Sequence, residues 1–107
     1  MQYNTRDEAG FKVLELSGEV DLHYSPQARK QILALLKEGA DLLVDLSAVE
    51  YIDSSGVASL VEGYQLSKNE KLKFGLIGIS DAAMQVLQLA RLDKVFPIYN
   101  SIADASQ

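Results

Sequence analysis

The sequence has 107 residues, 48% of them apolar, and a formal net charge of −5 at pH 7, which fits one folded domain and argues against a disordered chain. It contains no cysteine and a single histidine, His23. Disulfides, thiolate nucleophiles and thiolate metal sites are therefore excluded, and we expect neither a metal nor a cofactor. The acidic balance argues against nucleic acid as a partner, because phosphate binding draws on clustered Lys and Arg.

Membrane and export signals are also missing from the pattern. No stretch approaches the about 20 consecutive apolar residues of a membrane span, and residues 1–7 lack the apolar segment of a signal peptide. We therefore expect a cytoplasmic chain without direct membrane insertion, whose acidic surface suits a basic patch on a protein partner.

The first twenty residues predict a β-hairpin. Residues 11–16 alternate loosely between apolar and polar side chains, which indicates a strand. Residues 2–5 are predicted as its antiparallel partner, with residues 7–10 as the turn. Residues 17–21 are predicted to lead into a loop.

A helix and a buried strand follow. Ser25 and Pro26 predict the helix start, as N-cap and first helical residue. A single apolar stripe continues from there, and Gly39 is a good stop signal. Residues 41–46 are nearly continuously apolar, which is typical of a strand covered on both faces.

The second half repeats the alternation. A helix with a regular apolar stripe is predicted after residues 53–56, and residues 72–79 predict another buried strand. Ser80 is predicted to cap a third helix, whose inner face includes Ala90.

The last part of the chain completes the predicted architecture. Residues 95–98 predict a short edge strand, because Pro97 cannot donate to a central ladder, and the tail from Ser101 predicts a short helix at most. The order of elements indicates an α/β fold, a single domain over residues 1–107 with a mixed sheet of four to five strands flanked by about four helices.

The most informative segment is residues 45–57, where a strand, a short polar loop and a helix start follow one another. The first turn of a helix has unpaired N–H groups and the positive end of the macrodipole, and both stabilise a phosphate. Ser54 and Ser55 lie there, and phosphorylation of either would add about −1.5 to −2 charges. Local chemistry alone favours an ordinary helix cap, because Asp, Ser and Gly are the residues that any strand-to-helix turn selects.

Catalysis is poorly supported by the same segment. A nucleophilic serine of the elbow type needs Gly-x-Ser-x-Gly, which Ser54 and Ser55 lack, and His23 is the single candidate base for a triad. No Gly-x-x-x-x-Gly-Lys phosphate loop is present. We therefore expect a protein that is not an enzyme.

Three segments in order resemble the STAS domain family, and within it the bacterial anti-sigma-factor antagonists. They are residues 17–21 (Ser-Gly-Glu-Val-Asp), residues 45–47 with residues 52–56 (Asp-Leu-Ser and Ile-Asp-Ser-Ser-Gly), and residues 89–96 (Leu-Ala-Arg-Leu-Asp-Lys-Val-Phe). The resemblance implies a mixed sheet flanked by helices and a binding role.

The resemblance also implies that Ser55, the second serine of the motif, is phosphorylated by a partner anti-sigma factor that is a serine kinase. The unphosphorylated chain would bind that anti-sigma factor and free a sigma factor. The phosphorylated chain would be released and later restored by a phosphatase. The residues expected to bind the partner are Asp21, Asp53, Ser54, Gly56, Val57 and Ala58, of which Val57 and Ala58 would form a small apolar contact patch beside Ser55.

An alternative interpretation is a STAS subunit of a lipid-transport ABC system, with the transporter permease or ATPase as partner. Residues 89–98 fit that branch about as well. Among single residues, His23 is expected in an exposed loop and Tyr51 in the core under the loop. Glu62 and Gln65 are expected on the outer face of the second helix, as partner contacts or as solvated surface.

Overall fold

The computed structural model describes all residues, 1–107, as five strands and four helices. In chain order the elements are β1 (Gln2–Glu8), β2 (Phe11–Val20), α1 (Ser25–Lys37), β3 (Leu42–Ile52), α2 (Ser54–Asn69), β4 (Phe74–Ile77), α3 (Asp81–Leu89), β5 (Ile98–Tyr99) and α4 (Ile102–Ala105). The strands form one sheet in the order β1 to β5, in which β1 pairs antiparallel with β2 and every other pair is parallel. The predicted α/β fold with a mixed sheet is confirmed.

The two faces of the sheet carry separate apolar clusters. Successive strand residues point to opposite faces, so Leu14 belongs to the larger cluster while its neighbour Val13 belongs to the smaller one. Helices α1, α2 and α3 cover the larger cluster, and α4 with Ala105 covers the smaller one. Every residue of β1 stays exposed. None of the helices combines the length and the apolar character that a membrane span requires.

Strands β2 and β3 are longer than the sequence pattern predicts. Residues 17–21, predicted to lead into a loop, are strand up to Val20, and the polar loop expected before α2 is strand up to Ile52. Their parallel ladder contains register shifts between Glu15 and Ser17 and between Gly18 and Glu19. Such irregularities break the period of two, so the alternation of apolar and polar residues does not predict that the strand continues.

Ser25 does not cap α1, contrary to the prediction. The N-cap is Tyr24, whose side chain makes no capping bond. Instead the Oδ1 atom of Asp21 accepts hydrogen bonds from the backbone N–H groups of His23 (3.0 Å) and Tyr24 (3.1 Å). Ser25 is buried in the first turn, where its carbonyl accepts the Ser59 hydroxyl at 3.3 Å. Asp21 thus shapes the entry into α1.

The C-terminal third differs from the prediction at its element boundaries. Strand β4 is shorter than residues 72–79, and β5 begins only after Pro97. The N–H groups of Val95 and Phe96 both bond to the carbonyl of Leu92, which closes a turn where a strand was expected. The short helix after Ser101 is confirmed as α4.

Helix α3 keeps its predicted start but not all of its predicted face. The Ser80 side chain accepts the N–H of Ala83 at 3.2 Å, which confirms the cap. Ala90, expected on the inner face, is the exposed C-cap residue.

Gly56 lets α2 approach the ends of β2 and β3. A Cβ atom at this position would lie 2.5 Å from the carbonyl oxygen of Val20 and 2.7 Å from Cγ1 of Ile52. We expect Gly56→Ala to lower the free energy of unfolding by about 1–3 kcal/mol, because the backbone carbonyl cannot move aside and the clash outweighs the roughly 1 kcal/mol gain in helix propensity.

Urea denaturation measures this effect. The matched control is Ser54→Ala in the same turn, where the side chain is exposed and a change within about 0.5 kcal/mol is expected. A Gly56→Ala protein as stable as the control would contradict the packing argument.

Candidate functional site

The candidate site lies where β2 and β3 end and α1 and α2 begin. Because the two strands are parallel, both strand-to-helix connections meet at the same edge of the sheet. The connection between β3 and α2 consists of one residue, Asp53.

The carboxylate of Asp53 joins the two connections. Its Oδ1 accepts the N–H groups of Ser55 (3.0 Å) and Gly56 (3.2 Å), and the Ser55 hydroxyl donates to the same oxygen at 2.5 Å. Its Oδ2 accepts the N–H of Leu22 in the loop before α1 at 3.0 Å. A single side chain therefore caps α2 and fixes the position of the neighbouring loop.

These contacts lower the pKa of the Asp53 carboxyl below its ordinary value of 3.8. The hydrogen bond from the Ser55 hydroxyl is the largest cause, and the N–H groups of Gly56, Ser55 and Leu22 add to it against the opposing effect of desolvation. The group is ionised at neutral pH, and its negative charge is favourable at the N-terminus of a helix.

The lowered pKa of Asp53 predicts a pH-dependent stability. A carboxyl whose folded pKa lies below its unfolded value, about 3.9, stabilises the fold above that unfolded value and loses the contribution as the pH falls through the folded pKa. Asp53→Asn keeps a capping side chain but removes the charge.

We therefore expect the variant to be less stable than the parent at pH 7, with a gap in the free energy of unfolding that narrows as the pH falls below the ordinary value of 3.8 and through the folded pKa. Urea denaturation at pH 7 and at an acidic pH below that value measures the gap. An equal gap at the two values would show that ionisation of Asp53 does not stabilise the fold.

The two serines of the site differ in their surroundings. Ser54 is exposed, whereas Ser55 is half-buried and held by Asp53. Ala58, one turn further, is exposed as a partner contact would be. Gly56 and Val57, by contrast, are buried, Val57 with 6% of its surface exposed. These two residues pack α2 against the core and leave little of their own surface exposed.

Asp21 makes no direct hydrogen bond to the residues at the start of α2. It is half-buried, and its Oδ1 atom accepts the N–H groups of His23 and Tyr24 in the loop. His23 is exposed, as predicted. No group of three or more His, Asp or Glu side chains is arranged to hold a metal ion.

Two apolar side chains at this edge of the sheet were missed or misplaced by sequence reasoning. Leu22 is 75% exposed, although its backbone is held by Asp53. Tyr51, predicted in the core, is 52% exposed. The next residue, Ile52, points into the core under the helices, so Tyr51 points to the opposite face, which α4 does not reach. The only sequence signal for Leu22 was an isolated apolar residue in a polar loop.

An open groove of about 700 Å³ runs between α1 and α2 and includes both serines. Arg29 of α1 and Glu62 of α2 form an ion pair across it, with Nη2 of Arg29 3.2 Å from Oε1 of Glu62 and a second bond from Nε. The pair raises the pKa of Arg29 and lowers the pKa of Glu62, mainly through their hydrogen bonds. Gln65 is exposed on the same groove.

The fold and the site together define a class of small α/β domain. In this class a serine pair begins the helix after the central strand, and an aspartate caps that helix. The family model of the STAS domain matches residues 2–105, and the chain belongs to that family.

Curated and structural relatives agree with this assignment. The chain is 29% identical over 100 residues to the anti-sigma-F factor antagonist RsfB of Mycobacterium tuberculosis, covering 92% of this chain and 81% of the relative. It is 26% identical over 85 residues to the anti-sigma-B factor antagonist of Bacillus subtilis, covering 79% and 78%. The crystal structure of an anti-sigma factor antagonist from Mycobacterium paratuberculosis has a TM-score of 0.83 and 32% identity, covering 97% and 89%. The predicted resemblance is confirmed, since these relatives are named anti-sigma factor antagonists.

Proposed function

We propose that the chain is an anti-sigma-factor antagonist, a binding module switched by phosphorylation of Ser55. Unmodified, it binds an anti-sigma factor that is also a serine kinase, and so frees a sigma factor in the cytoplasm. The observation that carries this proposal is the serine pair at the start of α2, where Asp53 caps the helix and accepts hydrogen bonds from Ser55. The relatives of the chain are named antagonists.

Phosphorylation of Ser55 would change the surface more than the fold. The modified oxygen has no hydrogen left to donate to Asp53, and the phosphate adds about −1.5 to −2 charges beside that carboxylate. The helix N-terminus offsets part of this charge, so the domain stays folded. A partner surface that accepts the unmodified face would meet a strongly hydrated anion in place of a neutral hydroxyl, and the complex would dissociate. A phosphatase would then restore binding.

The assignment to Ser55 rests on its place in the motif, since exposure alone favours Ser54. Ser55 has to release Asp53 before its hydroxyl can reach a kinase. That release costs one hydrogen bond to a charged group, about 1.5–3 kcal/mol, and the contacts between the kinase and the turn would offset this cost.

The partner surface surrounds the serines. Leu22 supplies exposed apolar area and Ala58 supplies a small contact next to the switch. Asp21 and Asp53 hold the loop that presents Leu22. Gly56 and Val57 act from beneath, by setting the position of α2.

Incubation with the cognate anti-sigma factor and ATP tests the proposal. We expect intact-mass spectrometry to show one added phosphate, peptide mapping to place it on Ser55, and Ser55→Ala to abolish it. Ser54→Ala is the matched control and should keep the modification. The proposal would be overturned by phosphate on Ser54 or by no phosphate at all. It would also be overturned by a pull-down that captures a transporter permease or ATPase in place of an anti-sigma factor.

A further inference from the structure

One ion pair lies in the groove that begins at the serines. Arg29 donates from Nε and Nη2 to the two carboxylate oxygens of Glu62, and the side chains are 53% and 45% exposed. Ser55, Arg29 and Glu62 line the same groove, and Arg29 is the one cation among its lining residues. A new negative charge in the groove therefore has one basic group to meet.

The register of the helices places Arg29 and Ser55 about two turns apart along the groove that both residues line. Helices α1 and α2 run in the same direction from neighbouring parallel strands, and the bond from Ser59 to the Ser25 carbonyl (3.3 Å) sets their relative height. Arg29 follows Ser25 by one turn, and Ser55 precedes Ser59 by one turn. The offset between them is no more than about two turns, roughly 11 Å along the axis.

The direction of the Arg29 side chain reduces the offset between Arg29 and Ser55 along the helix axis. Helical side chains lean toward the N-terminus of their helix, which directs Arg29 toward the end of the groove that holds Ser55. Both residues line the groove, so an extended arginine and a phosphoserine at position 55 face the same open space. Asp53, which lies against Ser55 on the other side, repels the phosphate and favours this direction.

The phosphate is also the stronger partner for a guanidinium. An exposed carboxylate–arginine pair contributes little to stability, so its exchange costs little. A phosphoserine carries about −1.5 to −2 charges and three acceptor oxygens, and the planar guanidinium matches two of those oxygens at once. Competition between Glu62 and the phosphate therefore favours the phosphate.

We propose that phosphate on Ser55 takes Arg29 away from Glu62, so that the modification exchanges one ion pair for another. This inference rests on the proposed phosphorylation of Ser55. The exchange fixes the phosphate against α1 and leaves Glu62 unpaired, which extends the negative charge along the groove by one more carboxylate. Arg29 is then a positioning residue of the switch.

The first test measures the second pKa of the phosphate by ³¹P NMR, in protein that carries phosphoserine at position 55 through recoded translation. Arg29→Gln should raise this pKa by about 0.5–1 pH unit. Lys30→Gln is the matched control, because it removes the same charge from the adjacent exposed residue, which does not line the groove. Equal shifts in the two variants, or none, would overturn the exchange.

The second test needs no substitution in its main arm. Arg29 holds the pKa of Glu62 below its ordinary value of 4.5, and phosphoserine at position 55 should raise it toward or above that value, as followed by ¹³C NMR of the side-chain carboxyl. The Arg29→Gln variant measures the direct repulsion by the phosphate alone, where a smaller rise is expected. An unchanged Glu62 pKa, or the same rise in both proteins, contradicts the proposal.

Failures of the two proposals are distinguishable. The phosphoserine is built in during synthesis, so neither a kinase nor a partner enters these titrations. If no anti-sigma factor modifies Ser55, the proposed function fails while the ion-pair measurement still stands. If these two pKa values stay in place while the kinase assay succeeds, only the exchange is wrong.

Discussion

Replacing Ser55 by glutamate is expected to weaken binding of the anti-sigma factor by about 30-fold to 1000-fold while the domain stays folded. The substitution removes the hydroxyl that donates to Asp53 at 2.5 Å and places a second carboxylate beside it. Uncompensated charge at an interface costs several kcal/mol, and each 1.4 kcal/mol is a factor of ten in affinity. Because the helix N-terminus tolerates an acidic residue, the loss should appear in binding and not in folding.

Isothermal titration calorimetry with the anti-sigma factor, together with urea denaturation, separates these effects. Gln88→Glu is the matched control, since it adds the same charge at an exposed position of α3 that does not line the groove. We expect the control to lose less than about tenfold. Undiminished binding by Ser55→Glu would argue strongly against a switch at this residue.

Truncation of Leu22 to alanine is expected to weaken the same complex by about 10-fold to 100-fold, the range of an apolar anchor at an interface. The side chain is 75% exposed in the free domain, so little packing is lost on truncation. The loop is held through the backbone N–H of Leu22 on Asp53, and this bond survives the substitution. Stability should therefore change by less than about 0.5 kcal/mol.

Leu89→Ala provides the control for Leu22→Ala. Leu89 is 87% exposed at the end of α3, in a different part of the fold from the serine pair. It should leave both affinity and stability unchanged. Equal losses from the two leucines, or no loss from Leu22→Ala, would show that the loop before α1 does not contact the partner.

Features that depend on near neighbours in the chain were accessible from the sequence. The cap at Ser80 needs only the N–H of Ala83, three residues away. The start of α2 needs only Asp53 and the next turn. The hairpin and the alternation of helices with strands also follow from short periods in the pattern, although β4 and β5 begin and end elsewhere than predicted.

Features that depend on the pairing of distant segments were not accessible from the sequence. The continuation of β2 and β3 over polar residues follows from a parallel ladder with register shifts, and that ladder reverses the expectation for Tyr51. The burial of Gly56 and Val57 follows from how closely α2 approaches the ends of those two strands. No periodicity in the chain reports either fact.

The sequence by itself determined the family, the fold class and the serine pair at a helix start, because motif and hydrophobic period are properties of neighbouring residues. The tertiary structure alone decided what surrounds that pair. The bond from Leu22 to Asp53 joins residues 31 apart, and the pair of Arg29 with Glu62 joins residues 33 apart. Such contacts exist only once parallel strands have brought two strand-to-helix connections to one edge of the sheet.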